Sequence, residues 1–419
     1  MKNNEKIKIR KSKKYNILKT ILILIILFIL AFISYVTYGI IKNGGGTEGL
    51  IYTVVGQDKN DVKNLEPFSA LLLGSSQNLT DTIMVFKYNP QTQNAYLISI
   101  PRDTFIGDNK NSAKAADKIN SLYKGKYPEK VLSAVNKVTG LDLKYYVLVD
   151  TEALKALVDA IDGVYFDVPI DMKYTDKKQG LYIDLKAGYQ LLDGDKAEQV
   201  VRFRHNQDGS SYSYEYGNND TGRMKTQRNF LKAVIKQTLT LSNISNIGKI
   251  IDIAQTYVKT NIPMDILKQY IAPAVNFSVD NLETGTISGT NQKCNGVWLF
   301  IANKTKTQNY LTEMNNKLAG IDDFTKEELS NLKLEILNGS GSNEKLVEVK
   351  NILNNAGFKI SSTVTINSIE KTSIINKTTV NENILKSIQI LLENGTISSS
   401  INESESEIDI TIILGKDLK

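Results

Sequence analysis

The sequence predicts an α/β protein: a large layered domain around a central sheet, one transmembrane helix before it and a small α+β domain after it. Three observations lead to this prediction. Strand-like and helix-like segments alternate over residues 67–316, an uncharged apolar run occupies residues 20–41, and a second strand–helix pattern fills residues 332–419. A chain of 419 residues with 41% hydrophobic residues has enough apolar material for two or three domains.

The first 41 residues predict a membrane anchor. Residues 1–19 carry eight lysines or arginines and one glutamate, and residues 20–41 carry no charge. At about 1.5 Å per residue this helix would be about 33 Å long, enough to cross a hydrocarbon core of about 30 Å. The basic tail is expected in the cytoplasm, with every later residue outside the cell. A cleaved signal peptide is the alternative, but the apolar run is long for one and no A-x-A-like site follows it.

The net charge of +6 does not indicate a nucleic-acid partner, because the basic tail accounts for it. The remaining 400 residues hold 43 basic and 44 acidic side chains. The single cysteine, Cys294, excludes an intrachain disulfide and is expected to be a small buried hydrophobe.

The large domain is predicted to follow a linker at residues 42–66, which contains the flexible sequence NGGG. SALLLG predicts a short buried strand, and TIMVFKYNP and QNAYLISIP predict a hairpin that ends at Pro101. LKYYVLVD predicts the next strand. TEALKALVDAIDG predicts a helix with a threonine cap and a closing glycine, and VYFDVP predicts a further strand.

The C-terminal segment follows an acidic, polar link at residues 321–331. Its pattern predicts a strand, a helix from Asn343 to Asn355, two strand-like stretches, a helix from Glu382 to Glu393 and a final strand. The segment contains no histidine or cysteine and no convergent charge pattern, which favours a binding or spacing module.

Two charged segments predict an anion site. In VRFRH, taken as a strand, Arg202 and Arg204 lie on one face, and two adjacent guanidiniums repel unless an anion lies between them. In NDTGRMKTQRNFLKAV, Arg223 and Gln227 share a face near a helix start, where phosphate is favoured. Asp220 or Thr221 of that segment is expected to cap the helix.

The end of the hairpin adds a fifth position. Arg102 follows the proline that ends the second strand, and Asp81 at the start of the first strand is expected close to it. Planar donors around one or two carboxylates predict a pyrophosphate site that can take Mg²⁺. The alternative is that each arginine is a solvated surface residue.

Several ordered motifs resemble those of the LytR–CpsA–Psr (LCP) family. The segments are DTIMVFKYNPQTQNAYLISIPRDT, AEQVVRFRH and NDTGRMKTQRNFLKAV, with DKIN between the first and the second. LKLEILNGSG, LNNAGF and DITIILGKD are similar to the LytR C-terminal domain that many members carry. The resemblance implies an LCP-type αβα domain with a central mixed sheet at residues 67–316, an apolar pocket for a polyprenyl chain, and a LytR C-terminal domain at residues 332–419.

The function that the resemblance implies is that of a membrane-anchored extracellular phosphotransferase. Such an enzyme moves an anionic glycopolymer from undecaprenyl-pyrophosphate to peptidoglycan through a new phosphodiester bond, with Mg²⁺ beside the pyrophosphate. Its partners are the polyprenyl-pyrophosphate-linked glycopolymer, peptidoglycan and the membrane. Two alternatives remain: a non-enzymatic envelope protein that binds lipid pyrophosphate or wall polymer, and hydrolysis with water as the acceptor.

Carried over onto this sequence, the resemblance assigns pyrophosphate binding to Arg102, Lys118, Arg202, Arg204, Arg223 and Gln227. Asp81 matches a metal-associated aspartate, and Arg102, Asp103 and Asp81 are the catalytic candidates. Asp103 is expected to orient Arg102 or to serve as base, Asp81 is the other candidate base, and proton transfer assisted by an arginine is a further alternative. His205 is an alternative base, but a loop histidine that binds substrate or solvent is the favoured interpretation of it. In LLLGSSQNLTD, Ser76 stands where members usually have an aspartate, which predicts a weak or altered Mg²⁺ site.

Overall fold

The computed structural model describes residues 31–62, 65–76, 78–240, 242–243, 246–400 and 407–418. The predicted basic tail and residues 20–30 of the predicted transmembrane segment lie outside the described residues, whereas residues 31–42 are helical. Within the described part of the chain, no helix combines the length and the apolar character that crossing a membrane requires.

Helices and strands alternate along the chain, as the sequence predicts. The helices are α1 (Gly46–Val55), α2 (Lys59–Val62), α3 (Pro128–Thr139), α4 (Thr151–Ala160), α5 (Gly194–Arg202), α6 (Asn219–Thr238), α7 (Ile247–Tyr257), α8 (Met264–Gln269), α9 (Ile271–Ala274), α10 (Lys304–Ala319), α11 (Lys326–Asn331), α12 (Asn343–Asn355) and α13 (Glu382–Leu391). The strands of the larger domain are β1 (Phe68–Ser76), β2 (Leu79–Asn89), β3 (Asn94–Ser99), β4 (Tyr146–Asp150), β5 (Val164–Val168), β6 (Met172–Asp176), β7 (Leu181–Leu185), β8 (Gly188–Leu192), β9 (Lys259–Thr260), β10 (Leu282–Thr286), β11 (Gly289–Cys294) and β12 (Val297–Ala302). Those of the C-terminal domain are β13 (Lys333–Asn338), β14 (Lys359–Thr365), β15 (Ser373–Asn376), β16 (Thr396–Ser399) and β17 (Ile410–Leu414).

The chain divides into two compact units. The described part of one unit consists of residues 31–62, Leu65 and Met264–Asn276, which include α1, α2, α8 and α9. The other unit consists of Glu66–Pro263 and the residues from Phe277 onwards, and it contains the central sheet and the C-terminal domain.

A six-stranded mixed sheet with the order β10-β3-β2-β1-β4-β9 forms the centre of the larger unit. The predicted hairpin is its middle: β2 pairs antiparallel with β3, and β1 pairs antiparallel with β2 and parallel with β4. The parallel pairing of β1 with β4 brings the carboxyl ends of both strands to one edge of the sheet, where ligands commonly bind in α/β folds.

One face of the sheet packs against a hydrophobic core and the other borders a cavity, because successive strand residues point to opposite faces. Leu71 and Val85 are fully buried and pack in the core that α3 and α10 complete. Leu72 and Met84, one position along, point to the other face, where they border a cavity beneath α4 and α6. The alternation of side chains along the strands thus places a close-packed core on one face of the sheet and the cavity on the other.

The second layer is built on two antiparallel strand pairs, β5 with β8 and β6 with β7. Of these four strands, only β5 was predicted from the sequence. Phe166 of β5 packs edge to face against Phe230 of α6, with ring centroids 5.4 Å apart. Helix α4 is capped by Asp150, which accepts a hydrogen bond from the amide of Ala153, and not by Thr151 as predicted. The preceding strand therefore supplies its own helix cap.

The prediction of a strand at VRFRH is wrong. Arg202 is the last residue of α5, and Phe203, Arg204 and His205 continue in an extended loop. The helix is favoured because Asp193 caps it and because Ala197 and Val200 bury its inner face. Phe203 is fully buried, whereas Arg202 and Arg204 are not. The predicted alternation of burial is therefore present, although the segment is not a strand.

The C-terminal domain is a five-stranded mixed sheet with the order β14-β13-β17-β15-β16, packed with α12 and α13. The two predicted helices and the first and last strands form; β16 was not predicted. Ile321 and Leu329, from the predicted polar link, are buried in the core of this domain. The link is therefore part of the folded structure, with α11 held by a capping box between Thr325 and Glu328.

Hydrogen bonds join the C-terminal domain to helix α10 and to strand β2 of the larger domain. The Ser387 hydroxyl of α13 donates to the backbone oxygen of Ala319, 2.8 Å away, and both groups are buried. The Lys87 ammonium of β2, with a side chain only 8% exposed, pairs with Glu393 and donates to Asn315 at 3.4 Å. A buried lysine needs such partners, so the junction is a specific contact.

Candidate active site

One cavity of about 490 Å³ lies between the sheet and helices α4 and α6. Its apolar wall is formed by Leu72, Met84, Val147, Val149, Leu154, Leu157, Phe230, Leu231 and Val234. Its polar wall is formed by Ser76, Asp81, Asp150, Arg102, Arg202, Arg204, His205, Arg223 and Gln227. The polar cavity residues of β1 and β4, Ser76 and Asp150, are the last residues of these strands. The apolar cavity residues of the same strands lie before them, toward the amino ends. One end of the cavity thus suits charge and the other suits hydrocarbon.

The β2–β3 hairpin brings Asp81 and Arg102 together. The register continues beyond β3, where the amide of Ile100 donates to the oxygen of Ile83 at 2.8 Å, and Pro101 then ends the ladder. Arg102 Nη1 donates to Asp81 Oδ1. Burial acts to lower the pKa of Arg102, but the carboxylates of Asp220 and Asp81 outweigh it and raise that pKa above its ordinary value.

Asp220 lies among three guanidiniums and does not cap α6. Its carboxylate is 2.6 Å from Arg223 Nη2, 3.6 Å from Arg204 Nε and 3.9 Å from Arg102 Nε. The helix begins after Asn218 without a side-chain cap, so the predicted cap is wrong. Gly222 is needed here, because a Cβ would lie 2.3 Å from the Tyr212 ring that packs on this turn.

Arg223 and Gln227 share the inner face of α6, as predicted, and both are buried. Burial lowers the pKa of Arg223, Asp220 partly offsets this, and the nearby charge of Arg102 lowers it further. Gln227 Nε2 donates to the backbone oxygen of Val201 at 2.9 Å, which ties α6 to the end of α5.

Arg202 and Arg204 enter the cavity from the end of α5. Arg202 is held by Glu198 at 2.7 Å and by Gln179 at 3.2 Å, the latter from the turn between β6 and β7. The side chain of Arg204 is 47% exposed, and its Nε lies 3.6 Å from Asp220 Oδ1. The structure therefore gathers all four predicted arginines around one cavity.

Two buried donors of this cluster have no acceptor among the described residues: Arg102 Nε and Arg223 Nε make no hydrogen bond. Arg223 Nη2 has only the ion-pair contact with Asp220, whose geometry is not that of a hydrogen bond. Buried polar groups without partners are rare and costly in folded proteins. Planar N–H donors that converge without an acceptor match the oxygens of phosphate groups.

Asp103 and Lys118 lie beside this cluster but do not line the cavity. The Lys118 ammonium is 2.9 Å from Asp103 Oδ1, and the backbone of Phe105 bridges to that of Lys118. The charge of Asp103 also acts on Arg102. The structure therefore pairs Asp103 with Lys118 and places neither side chain on the cavity wall.

Two signals for this site were not used in the sequence analysis. The chain has only six arginines among 51 lysines and arginines, and four of the six line this cavity. Because lysine supplies nearly all other cations, arginine at these positions indicates a need for planar donors. Asp220 was recognisable as the residue three positions before Arg223 on the same helix face.

The residues fit a cation only if phosphate oxygens complete its ligand set. Within the described residues there is no group of three histidine, cysteine, aspartate or glutamate side chains that could hold a metal. Asp81 accepts from Arg102 through Oδ1, which leaves Oδ2 available, and Ser76 faces the same cavity. Mg²⁺ commonly binds through one or two carboxylates together with substrate phosphates, and Asp81 provides one such carboxylate.

Comparison with known protein families is decisive for the identity of this fold. The LytR_cpsA_psr family model matches residues 47–316, and the model described as LytR cell envelope-related transcriptional attenuator matches residues 331–418. The chain belongs to the LytR–CpsA–Psr family. The family match contains every residue of the cavity, and the second match corresponds to the C-terminal domain.

Curated relatives of this LCP protein are named as transferases. A Bacillus cereus protein named polyisoprenyl-teichoic acid–peptidoglycan teichoic acid transferase TagU is 29% identical over 282 residues, which cover 65% of this chain and 84% of the relative. A Bacillus licheniformis protein of the same name is 26% identical over 322 residues, covering 74% of this chain and 98% of the relative.

Solved structures share the LCP fold. Bacillus subtilis TagV superposes with a TM-score of 0.50 at 24% identity, covering 62% of this chain and 98% of TagV. Protein gbs0355 from Streptococcus agalactiae superposes with a TM-score of 0.52 at 21% identity, covering 62% of this chain and 90% of that protein. The predicted αβα layering around a mixed sheet is thus confirmed.

Proposed function

We propose that this LCP protein transfers an anionic glycopolymer from a polyprenyl-pyrophosphate carrier, such as undecaprenyl-pyrophosphate, to peptidoglycan. The observation that carries the proposal is the gathering of four arginines at one cavity, with buried N–H donors of Arg102 and Arg223 that lack a hydrogen bond within the described residues, beside a long apolar wall. A lipid diphosphate matches both halves: its phosphates satisfy the donors, and its hydrocarbon fills the apolar part. The names of the curated relatives support the same reaction class.

In the proposed reaction, a hydroxyl oxygen of peptidoglycan attacks the phosphorus on the polymer side of the diphosphate. The bond from that phosphorus to the bridging oxygen breaks, the lipid phosphate leaves with the electron pair, and the hydroxyl gives up its proton to a base of the site or to water. Arg102 and Arg223 stabilise the charge that develops on the phosphate oxygens. Arg202, at the end of α5, and Arg204, in the loop after it, bind the diphosphate. Mg²⁺, when bound by Asp81, would neutralise further negative charge on the diphosphate.

The proposal includes a single membrane anchor at residues 20–41, with the basic tail in the cytoplasm and both folded domains outside the cell. This placement would put the cavity on the side of the membrane where peptidoglycan lies. A protease added to intact cells should then remove the folded domains and leave the basic tail protected.

The decisive experiment uses the full chain in detergent micelles with a polyprenyl-pyrophosphate-linked saccharide, peptidoglycan oligomers and Mg²⁺. Transfer of saccharide to the oligomers is expected, and Arg102→Ala should lower its rate by about 100-fold or more. Lys110→Ala, which removes an exposed cation outside the cavity, is the matched control and should keep the wild-type rate.

Two other results would contradict the proposal. Tight binding of the lipid diphosphate without any turnover would indicate a non-enzymatic binding protein, which the serine at position 76 favours. Release of free saccharide phosphate, with no attachment to the oligomers, would indicate hydrolysis with water as the acceptor.

A further inference from the structure

His205 is a cavity-lining group to which the proposed transfer assigns no role. It follows Arg204 in the loop between α5 and α6, is half-buried, and lies on the cavity wall together with Tyr174 of β6. The two rings meet edge to face, with centroids 5.2 Å apart. His205 is the only histidine of the chain.

The backbone fixes the tautomer of this imidazole. His205 Nδ1 lies 2.9 Å from the backbone oxygen of Asn206. Because a carbonyl oxygen can only accept, Nδ1 carries the proton of the neutral ring and Nε2 keeps its lone pair. Within the described residues Nε2 has no hydrogen-bond partner. A ring held in this way is prepared to accept a proton at Nε2.

The carboxylates near the diphosphate are engaged by cations. Asp81 accepts from Arg102, and Asp220 lies 2.6 Å from Arg223. Protonation of either carboxylate would leave a buried guanidinium without its counter-charge, which is strongly unfavourable. Neither is therefore well suited to take a proton during the reaction.

The other charged groups around the cavity do not compete for this role. Asp103 lies 2.9 Å from Lys118 and outside the cavity wall. Asp150 accepts the amide of Ala153 at the start of α4. Arg204 precedes His205 in the chain, and the Tyr174 ring packs against its imidazole. The cavity's remaining titratable groups are Arg102, Arg202 and Arg223.

We propose that His205 is the general base of the transfer, an inference that rests on the proposed function and names the proton acceptor within the same site. The acceptor hydroxyl gives its proton to Nε2 while its oxygen bonds to the polymer-side phosphorus. The bond from this phosphorus to the bridging oxygen breaks, and its electron pair leaves with the lipid phosphate. The imidazolium then releases its proton to the lipid phosphate or to water.

The test measures transfer by the full chain from pH 5 to 9, purified without a polyhistidine tag, for wild type, His205→Ala and His205→Gln. Binding of the lipid diphosphate is measured in parallel. Tyr214→Phe, an exposed residue of the same loop, is the matched control and should behave as wild type. Added imidazole tests whether the missing base can be replaced in His205→Ala.

Both variants should lose about 100-fold or more in rate and retain wild-type binding of the lipid diphosphate. The wild-type rate should fall as the pH is lowered, because a protonated ring cannot accept the proton, and this fall should be absent in both variants. Imidazole should restore part of the rate of His205→Ala. A wild-type rate or an unchanged pH profile in His205→Gln would overturn the inference while leaving the proposed function intact, as would a loss that imidazole does not restore. Absence of transfer by the wild type would overturn both.

Discussion

Replacing Asp220 by asparagine tests whether one carboxylate holds three guanidiniums together. Asparagine keeps the shape of the side chain and removes its charge. Arg223, Arg204 and Arg102, whose nearest nitrogens are 2.6, 3.6 and 3.9 Å from this carboxylate, would then face one another, and Asp81, which pairs with Arg102, would be the remaining carboxylate in direct contact. Like charges at these distances repel strongly once they are removed from water.

The contact with Arg223 sets the magnitude. The Arg223 side chain is 7% exposed and that of Asp220 27%, whereas solvent screens the 47% exposed Arg204. Removing one partner of a buried ion pair typically costs about 3–5 kcal/mol of the free energy of unfolding. At about 2–4 °C per kcal/mol, the Tm of Asp220→Asn should fall by roughly 6–20 °C.

Differential scanning calorimetry with and without inorganic pyrophosphate, in metal-free buffer, measures the effect. Pyrophosphate supplies the missing negative charge, so it should bind the variant at least about ten times as tightly as wild type, a difference of about 1.4 kcal/mol, and raise its Tm more. Asp195→Asn, a carboxylate that is 82% exposed, is the control and should melt as wild type does. An unchanged Tm for Asp220→Asn, with equal stabilisation of both proteins by pyrophosphate, would refute this reasoning.

Two further predictions concern the domain junction and the metal. Ser387→Ala leaves the buried backbone oxygen of Ala319 without its donor, so the free energy of unfolding measured by calorimetry should fall by about 1–3 kcal/mol. Ser398→Ala, at an exposed position, is the control and should leave it unchanged. Equal melting of the two variants would contradict a specific junction. Ser76→Asp adds a third carboxylate to the cavity wall, beside those of Asp81 and Asp150, and should lower the Mg²⁺ concentration for half-maximal transfer about tenfold, whereas the uncharged Ser76→Asn should not. Identical Mg²⁺ titrations of the two variants would argue against a metal at this edge.

Local patterns predicted part of the site correctly. The hairpin of β2 and β3 was evident from two alternating runs around a turn, and hairpin geometry alone places Asp81 beside Arg102. The shared face of Arg223 and Gln227 followed from helical spacing in the same way. Both are contacts between residues that are close along the chain or joined by one turn.

Predictions failed where a longer-range partner decides the outcome. VRFRH has strand-like alternation, but the cap at Asp193 and the buried face of Ala197 and Val200 extend a helix through Arg202. Asp220 has the chemistry of a helix cap, yet three guanidiniums from separate segments claim its carboxylate. Propensity is a weak prior in both cases, because tertiary contacts override it.

By itself, the sequence determined the alternation of strands and helices, the division into a large and a small domain, and the identity of the arginines. These features depend on the period of the hydrophobic residues, the spacing of motifs and the residue types, all of which are contained in the linear sequence. Only the tertiary structure decided that four of the six arginines face one cavity, that Asp220 lies among three of them, and that Lys118 turns to Asp103. The physical reason is that charge interactions depend on distance and burial, and both are set only when separate segments, some of them more than a hundred residues apart, pack together.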